Sequence, residues 1–452
     1  VMQKKILVFS HNPFSSQANN GKTLESFFKG YPIENLAQIY LEPSTPDFNY
    51  CRRYYRITDY EVISNVLSNG RVGHALEEAD SNSQFLDASN AMVRHLYHSI
   101  RKKSERTGIS KFIHSGFVRR IPAFVAFREM LWRFANWETL EFNSWIRAFA
   151  PDLLFFQGSS CAFAYKIALR LSDKYDIPLV IQLTDDYANS IYPYSVVQMF
   201  NQAMYNKYLK IGIQRASTVI PICEYMETEY KRRFGGRHVT LMNTIKSPGN
   251  LPERTAIDRI RLLYAGNVLI GRHKVLAALG RALSRINDRC GTKHTLTIHS
   301  PLSIPQAIVK HLTKVPSIVI GQSLNSEELT RAIGDTNIVV HVESFGAQMR
   351  KLTRLSISTK IPEYLASRRC MFAVGPADVA SIRYLFDNAV AAVVKESKQT
   401  VIESELSKVI NSRELRTYYS DRAYALYLRK HNPETTMNSI ADIIEFADRR
   451  PR

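Results

Sequence analysis

HVESFGAQMRKLTRLSISTKIPEYLASRRCMFAVGP, residues 341–376, reads as one strand–helix–strand unit. The apolar run ending at Glu343 and the run from Cys370 to Gly375 are short and unbroken, as in strands buried on both faces. Between them a basic loop carries Arg350, Lys351 and Arg354, and Ser358, Thr359 and Lys360 open a helix. Pro362 stands early in that helix, where its missing N–H matters least and its fixed φ suits the first turn. Two strands joined through a helix pack in parallel, so the stretch predicts a parallel α/β sheet.

The same rhythm extends in both directions. Around it lie IRLLYAG (260–266), HTLTIHS (294–300), SIVIG (317–321), TNIVVHVES (336–344), CMFAVG (370–375) and NAVAAVV (388–394), with room for a helix after most of them. An earlier series comprises KKILVFS (4–10), LAQIYL (36–41), PDLLFFQG (151–158), IPLVIQLTDD (177–186), STVIPIC (217–223) and HVTLMNTI (238–245). The two series are separated by IKSPGNLPERTAID (245–258), whose prolines and glycine read as a linker. The expected fold class is therefore α/β, with two Rossmann-like doubly wound domains in tandem. The first should span 1–247 and the second 258–430. Residues 50–150 break the alternation and read as a helical, basic insertion in the first domain. Helix formers dominate after about residue 400, and PETTMNSIADIIEFADRR (433–450) supplies a last helix, so 431–452 is expected to pack back on the first domain.

A chain of 452 residues is too long for one ordinary core, in agreement with two domains. Hydrophobic residues make up 45% and charged residues 22%, and no apolar tract approaches the ~18 residues that span a bilayer. The opening VMQKKILVFS reads as a first strand, not a signal peptide, because its apolar run ends at Ser10 and His11. Cys51, Cys161, Cys223, Cys290 and Cys370 form no CxxC pair and read as structural thiols of a reducing cytoplasm. Sixty basic against 41 acidic residues give a net charge of +19, which attracts phosphates, nucleic acid or anionic lipid without choosing among them. Within 101–133 nine Lys/Arg face two Glu, interleaved with Phe112, Phe117, Phe124, Phe127 and Trp132. That stretch reads either as a solvated helix face or as a membrane-surface or anionic-acceptor site.

Four constellations carry candidate chemistry. SSQANNGKT (15–23) ends like a P-loop, but Ser16 stands where the loop needs its first glycine, so Gly21 is left as a turn or ligand-contacting residue at a helix start. Tyr264-Ala265-Gly266-Asn267 ends a strand, and Arg272 and Lys274 follow at a helix start. Gly266 and Asn267 can bring backbone close to a ligand, and the two cations with the helix dipole suit a diphosphate. In the third, Ser358, Thr359 and Lys360 offer first-turn amides for phosphate, and Glu363 either accepts from ribose hydroxyls or stabilises the helix dipole. Asp185 and Asp186, ending VIQLTDDY, read equally as acceptor-contacting residues and as an Asx turn. No Asp-x-Asp occurs, so no metal is expected; Arg272, Lys274 and amides would then neutralise a diphosphate.

Taken together, ILVFSHNPFSSQANNGKT, VIQLTDDY, ICEYMETEYKRRFG with LMNT, YAGN with Arg272 and Lys274, and STKIPEYLAS followed by VGPADVAS resemble the GT-B-fold glycosyltransferases. Within these the chain is most similar to the retaining family 4 type of bacterial surface-polysaccharide synthesis. The resemblance spans roughly 4–45 and 150–430. It implies a nucleotide-sugar donor in the cleft between the domains, held mainly by the second: Arg272 and Lys274 on the diphosphate, the Ser358 and Thr359 amides nearby, Glu363 on the ribose. It also implies a saccharide or lipid-linked saccharide acceptor on the first domain, retention of configuration, and a cytoplasmic enzyme peripheral on the inner face of the plasma membrane. Many relatives carry a second glutamate eight positions before the ribose-binding one. Here that position is Leu355, which leaves the sugar-reading role unassigned.

Two other classes compete. A GT-B fold that has lost catalysis would bind nucleotide as a scaffold without transfer. A basic nucleic-acid-binding protein would explain the +19 charge, but no recognition motif or aromatic platform accompanies it.

Overall fold

The computed structural model describes residues 3–15, 19–77, 122–189, 195–247, 249 and 259–447. The chain forms two compact units, one of Val1–Pro221, Glu227–Val239 and Ile440–Arg452, the other of Ile222–Met226 and Thr240–Ser439.

The first unit is built on β1 (Ile6–Ser10), β2 (Leu36–Tyr40), β3 (Arg53–Arg56), β4 (His74–Leu76), β5 (Leu153–Gln157), β6 (Leu179–Leu183) and β7 (Thr218–Pro221), in the spatial order β4-β3-β2-β1-β5-β6-β7. All pairs are parallel except β3 with β4. β1, β2, β5, β6 and β7 are buried along their whole length, which is why their sequences are mostly apolar, Gln38, Gln157 and Gln182 being buried exceptions.

Two expectations are corrected in this unit. Residues 50–150 are not wholly helical, because β3 and β4 lie there and extend the sheet. β3 reads RYYR, with Tyr54 and Tyr55 buried between arginines, and four residues with charged ends carry little strand signal. The helices Pro122–Phe134 and Leu140–Phe149 do fall in the insertion, while residues 78–121, with most of the basic run of 101–133, lie outside the described residues. HVTLMNTI also forms no strand. It makes one bridge, Val219 to His238, and from Thr240 the chain belongs to the second unit, where Met242 enters the core.

The second unit carries β8 (Arg261–Ala265), β9 (Thr295–His299), β10 (Ile318–Ile320), β11 (Ile338–Val342), β12 (Cys370–Val374) and β13 (Ala392–Val394), all parallel, in the order β10-β9-β8-β11-β12-β13. Alternate residues of β8 feed opposite cores: Leu262 and Tyr264 one side, Leu263 and Ala265 the other. In both sheets the chain starts in the middle, winds to one edge, and returns to build the other half. This creates a switch point between β1 and β5, and another between β8 and β11. The expected second series of six strands is present in full.

Among the described residues no helix is long and apolar enough to cross a membrane. The helices Gln399–Asn411 and Arg413–Lys430 close the second unit, and His431 locks the end of the latter. Its Nδ1 faces the Asn243 carbonyl oxygen at 2.8 Å and its Nε2 faces Tyr384 Oη at 2.8 Å. A carbonyl can only accept, so Nδ1 carries the proton and Nε2 accepts from the phenol. Burial holds the imidazole at about 4.

The unfolded chain binds a proton here below about pH 6.5, whereas the folded chain resists it down to about 4, so the stabilisation is complete above 6.5 and lost as pH falls. At pH 5 this is about 2 kcal/mol. The urea midpoint should therefore drop between pH 7 and pH 5, and His431→Gln should flatten that dependence. An equally steep variant would show that His431 is not its source.

Candidate functional site

At the second unit's switch point the central strands separate. β8 and β11 are in register only at Leu262 with Ile338 and Leu263 with Val339, although β8 runs on to Ala265 and β11 to Val342. The opening lies at the carboxyl ends of the strands, where sheets of this type take ligands. The Ala265 N–H, without a partner on β11, donates to Tyr364 Oη at 3.0 Å, and this seats the helix Lys360–Ala366 on the end of β8. Tyr364 was not singled out from sequence; its pattern is that of an ordinary core aromatic.

The loop after β8 is shaped by local bonds. Tyr264 Oη donates to the Asn267 carbonyl at 2.8 Å, and Asn267 Oδ1 accepts from the Leu269 N–H at 2.7 Å, an Asx turn. The Asn267 side chain is thus committed to the loop. Gly271 has φ +83°, and a β-carbon there would lie 2.5 Å from Ser344 Oγ, so both the backbone conformation and the space require glycine. This turn delivers the helix Arg272–Cys290 directly against the end of β11.

Arg272 and Lys274 then diverge, as residues two apart on a helix must. Arg272 turns inward: its Nη2 donates to Glu343 Oε1 at 2.7 Å and its Nε to Oε2 at 3.3 Å. The Glu343 side chain is 3% exposed and that of Arg272 16%. Burial pushes the Glu343 carboxyl up, and the facing guanidinium pulls it back. Burial also opposes the charge on Arg272, but Glu343 and Tyr264 outweigh it and hold the guanidinium protonated.

Ser381 Oγ donates to Glu343 Oε1 at 3.4 Å, and His341 Nε2 lies 3.0 Å from Ser381 Oγ. Burial and the nearby Arg272 hold His341 at about 3, so it is neutral at working pH. The result is a buried polar cluster of Arg272, Glu343, His341 and Ser381. Sequence reading noted Glu343 at a strand end but not its pairing with Arg272, because 71 residues separate them. Lys274 is exposed, without an ion-pair partner among the described residues.

The stretch 347–366 departs from a simple loop and helix. Ala347–Thr353 is a short helix holding Arg350 and Lys351, and Arg350 Nη2 bonds Asp378 Oδ2 at 2.8 Å. In the next helix the Lys360 N–H faces Ser358 Oγ at 3.4 Å and the Ile361 N–H donates to the Ser358 carbonyl at 3.0 Å, so of the three expected amides that of Lys360 is engaged locally. Thr359 sits at the helix cap with no side-chain capping bond. Glu363, 8% exposed, pairs with Lys360 Nζ at 3.0 Å. The structure thus groups Gly266, Asn267, Arg272, Ser358, Thr359, Lys360 and Glu363 on elements bonded to one another around the ends of β8 and β11.

The remaining candidates belong to the first unit. Gly21 lies in the helix Asn19–Phe28, where a β-carbon would fall 2.3 Å from the Pro13 carbonyl oxygen; the backbone passes too close for any other residue. Gln157 Nε2 donates to Asn20 O at 3.2 Å and to Gln182 Oε1 at 3.0 Å, tying that helix start to β5 and β6. Asp186 is buried, accepting from Tyr230 Oη at 2.9 Å and Asn189 Nδ2 at 2.6 Å. Asp185 is half-buried, with its Oδ2 3.2 Å from Tyr187 Oη. Asp185 is thus partly open to solvent, whereas Asp186 is held by its neighbours.

Comparison with known proteins bears on the whole chain. Residues 95–243 match the family described as Glycosyltransferase Family 4, about a third of the sequence. No curated protein matches in sequence. Among solved structures, a sucrose-phosphate synthase from Thermosynechococcus elongatus superposes with TM-score 0.60 at 11% identity, covering 98% of each chain. An α,α-trehalose-phosphate synthase (UDP-forming) from Burkholderia vietnamiensis gives TM-score 0.57 at 12% identity, over 98% of this chain and 99% of that one. Anabaena HepE in complex with UDP and glucose gives TM-score 0.57 at 12% identity, over 98% and 100%. At such identities the likeness shows the fold, which is GT-B, and the partial family match together with that fold supports a glycosyltransferase.

Proposed function

We propose that the chain transfers a sugar from a nucleotide-sugar to a hydroxyl of a saccharide or lipid-linked saccharide, without a metal and with retention of configuration. The observation that carries the reading is the crevice at the parted ends of β8 and β11, with Lys274 exposed at the start of one flanking helix and Glu363 on the helix that Tyr364 seats on β8. Lys274 neutralises the diphosphate as the nucleoside diphosphate leaves, and the acceptor hydroxyl attacks the anomeric carbon. Arg272 acts through its remaining N–H groups, its other face being fixed by Glu343. Glu363 binds the ribose, with Lys360 Nζ bonded to its carboxylate at 3.0 Å. HepE, of the same fold, is described with UDP and glucose, which favours a uridine nucleotide for the first trials.

The test is a thermal-shift screen against nucleoside diphosphates and their sugars, followed by turnover with and without chelator. A ligand of the native state raises the melting temperature with ln(1 + [L]/Kd). No shift with any nucleotide would refute the donor site; a shift without transfer would leave a nucleotide-binding scaffold, and loss of turnover with chelator would refute metal independence.

A peripheral membrane location is part of the proposal. Phe124, Phe127, Met130 and Phe134 are exposed on the helix Pro122–Phe134, as are Val196, Met199 and Phe200 on Val196–Arg215, and Asn201 Nδ2 joins the two helices through the Pro122 carbonyl at 2.8 Å. Apolar stripes on a chain of charge +19 suit an anionic bilayer. Sedimentation with phosphatidylglycerol vesicles should weaken as salt rises, and absence of binding at low salt would remove this part.

A further inference from the structure

A second cationic feature lies on the flank of the helix Arg272–Cys290, about two turns along it from Lys274. Arg281, Ser284 and Arg285 occupy one helix face at i, i+3 and i+4. Facing them, His311 and Lys314 come from the end of the helix Gln306–Thr313, and Val315 and Pro316 close the bottom. Together these residues line a cavity of about 340 Å³.

The backbone beneath it is fixed. A β-carbon at Gly280 would lie 2.6 Å from Ile318, so glycine lets the helix and the segment 315–318 approach closely. Ser317 Oγ donates to the Gly280 carbonyl at 2.7 Å and Ser284 Oγ lies 3.1 Å from Ser317 Oγ.

The charge is one-sided. Among the described residues no carboxylate lines the cavity. The acid bonded to this side of the helix is Glu403, shared between Arg285 Nη1 at 3.5 Å and Arg289 Nη1 at 3.1 Å. Arg281 and Lys314 have no ion-pair partner among the described residues. Arg281 and Lys314 thus bring two uncompensated cations to one small space, with Arg285 bonded to Glu403 beside them, and the forked guanidinium donors match the oxygens of a phosphate. The volume is at the small end of ligand pockets, enough for a phosphate monoester or diphosphate of a small molecule and too little for a nucleotide-sugar buried whole.

We propose that this cavity binds a phosphate group, at a site separate from that of the donor. It needs no assumption about the reaction. The ring of His311 meets that of His273 edge to face at 6.1 Å, and His273 lies between Arg272 and Lys274, so an occupant abuts the helix that carries the candidate donor residues.

The experiment follows the His311 ring signals by NMR, assigned with His311→Gln, in the Lys274→Ala background to weaken phosphate binding elsewhere. One arm titrates inorganic phosphate and pyrophosphate, and the other adds phosphatidylglycerol vesicles against phosphatidylcholine vesicles. Saturable movement with the soluble anions, at least about tenfold weaker in Arg281→Glu/Lys314→Glu, supports a free phosphate compound. Movement with phosphatidylglycerol only, lost in the same variant, assigns the phosphate to a lipid headgroup. Both substituted side chains are exposed, so the fold is not at stake, and an unchanged urea midpoint verifies this. The proposal is overturned if neither arm moves the His311 signals, or if the double variant binds as tightly as its parent.

Discussion

Glu343→Ala is expected to destabilise the second unit by about 3–5 kcal/mol, because it leaves the Arg272 guanidinium enclosed without its partner. The pair itself need not be stabilising: the desolvation of two buried ions can exceed their attraction. Arg272→Met with Glu343→Leu, which removes both charges and keeps apolar volume, should therefore recover most of the loss in urea unfolding. The comparison separates two roles. If the double variant is stable yet no longer protected by nucleoside diphosphate, the ion pair serves ligand binding by fixing Arg272 at the mouth of the crevice. If it is stable and still binds as the parent does, Arg272 is a structural residue and should be struck from the donor site. A Glu343→Ala protein as stable as the parent would contradict the buried pair altogether.

The second large effect concerns turnover. Each charge-assisted hydrogen bond contributes about 1.5–3 kcal/mol, so Lys274→Ala and Glu363→Gln should each lower kcat/KM for the nucleotide-sugar about 10- to 100-fold. They should differ in how the loss divides. Lys274 is assigned to charge that grows as the leaving group departs, so its removal falls mainly on kcat. Glu363 is assigned to a ribose that is unchanged through the reaction, so its loss falls mainly on KM. Glutamine preserves the shape of the nearly buried Glu363, and Lys360, left without its partner, remains half-exposed to water. Rates unchanged in both variants would mean that the donor lies elsewhere.

Mostly apolar strand runs were readable because buried parallel strands tolerate little else, and eleven of the twelve runs quoted are strands. The twelfth, HVTLMNTI, has the right composition but leaves the sheet after His238, a choice made by contacts of Met242 and Asn243 with distant parts of the second unit. β3 was hidden because its two tyrosines stand between arginines at the sheet's margin. At the site, residue types and spacing located the helix starts and put Glu363 in a first helical turn. They did not reveal that Arg272 is already bonded, that the Ser358 hydroxyl and carbonyl take up two amides, or that Asp186 is held by Tyr230 and Asn189. Each depends on a contact whose partner, on the chain or in the turn, periodicity does not specify.

The phenol of Tyr364 holding the Ala265 N–H gives that one peptide group an unusual sensitivity. Elsewhere in β8 the amides are shielded by neighbouring strands, and their exchange with deuterium reports opening of the sheet. Ala265 is shielded by a side chain on a seven-residue helix that also carries Glu363, so its exchange rate follows the seating of that helix. A molecule gripping Glu363 and damping the helix would slow isotope uptake at this single backbone position, giving an occupancy signal that requires neither turnover nor knowledge of the sugar.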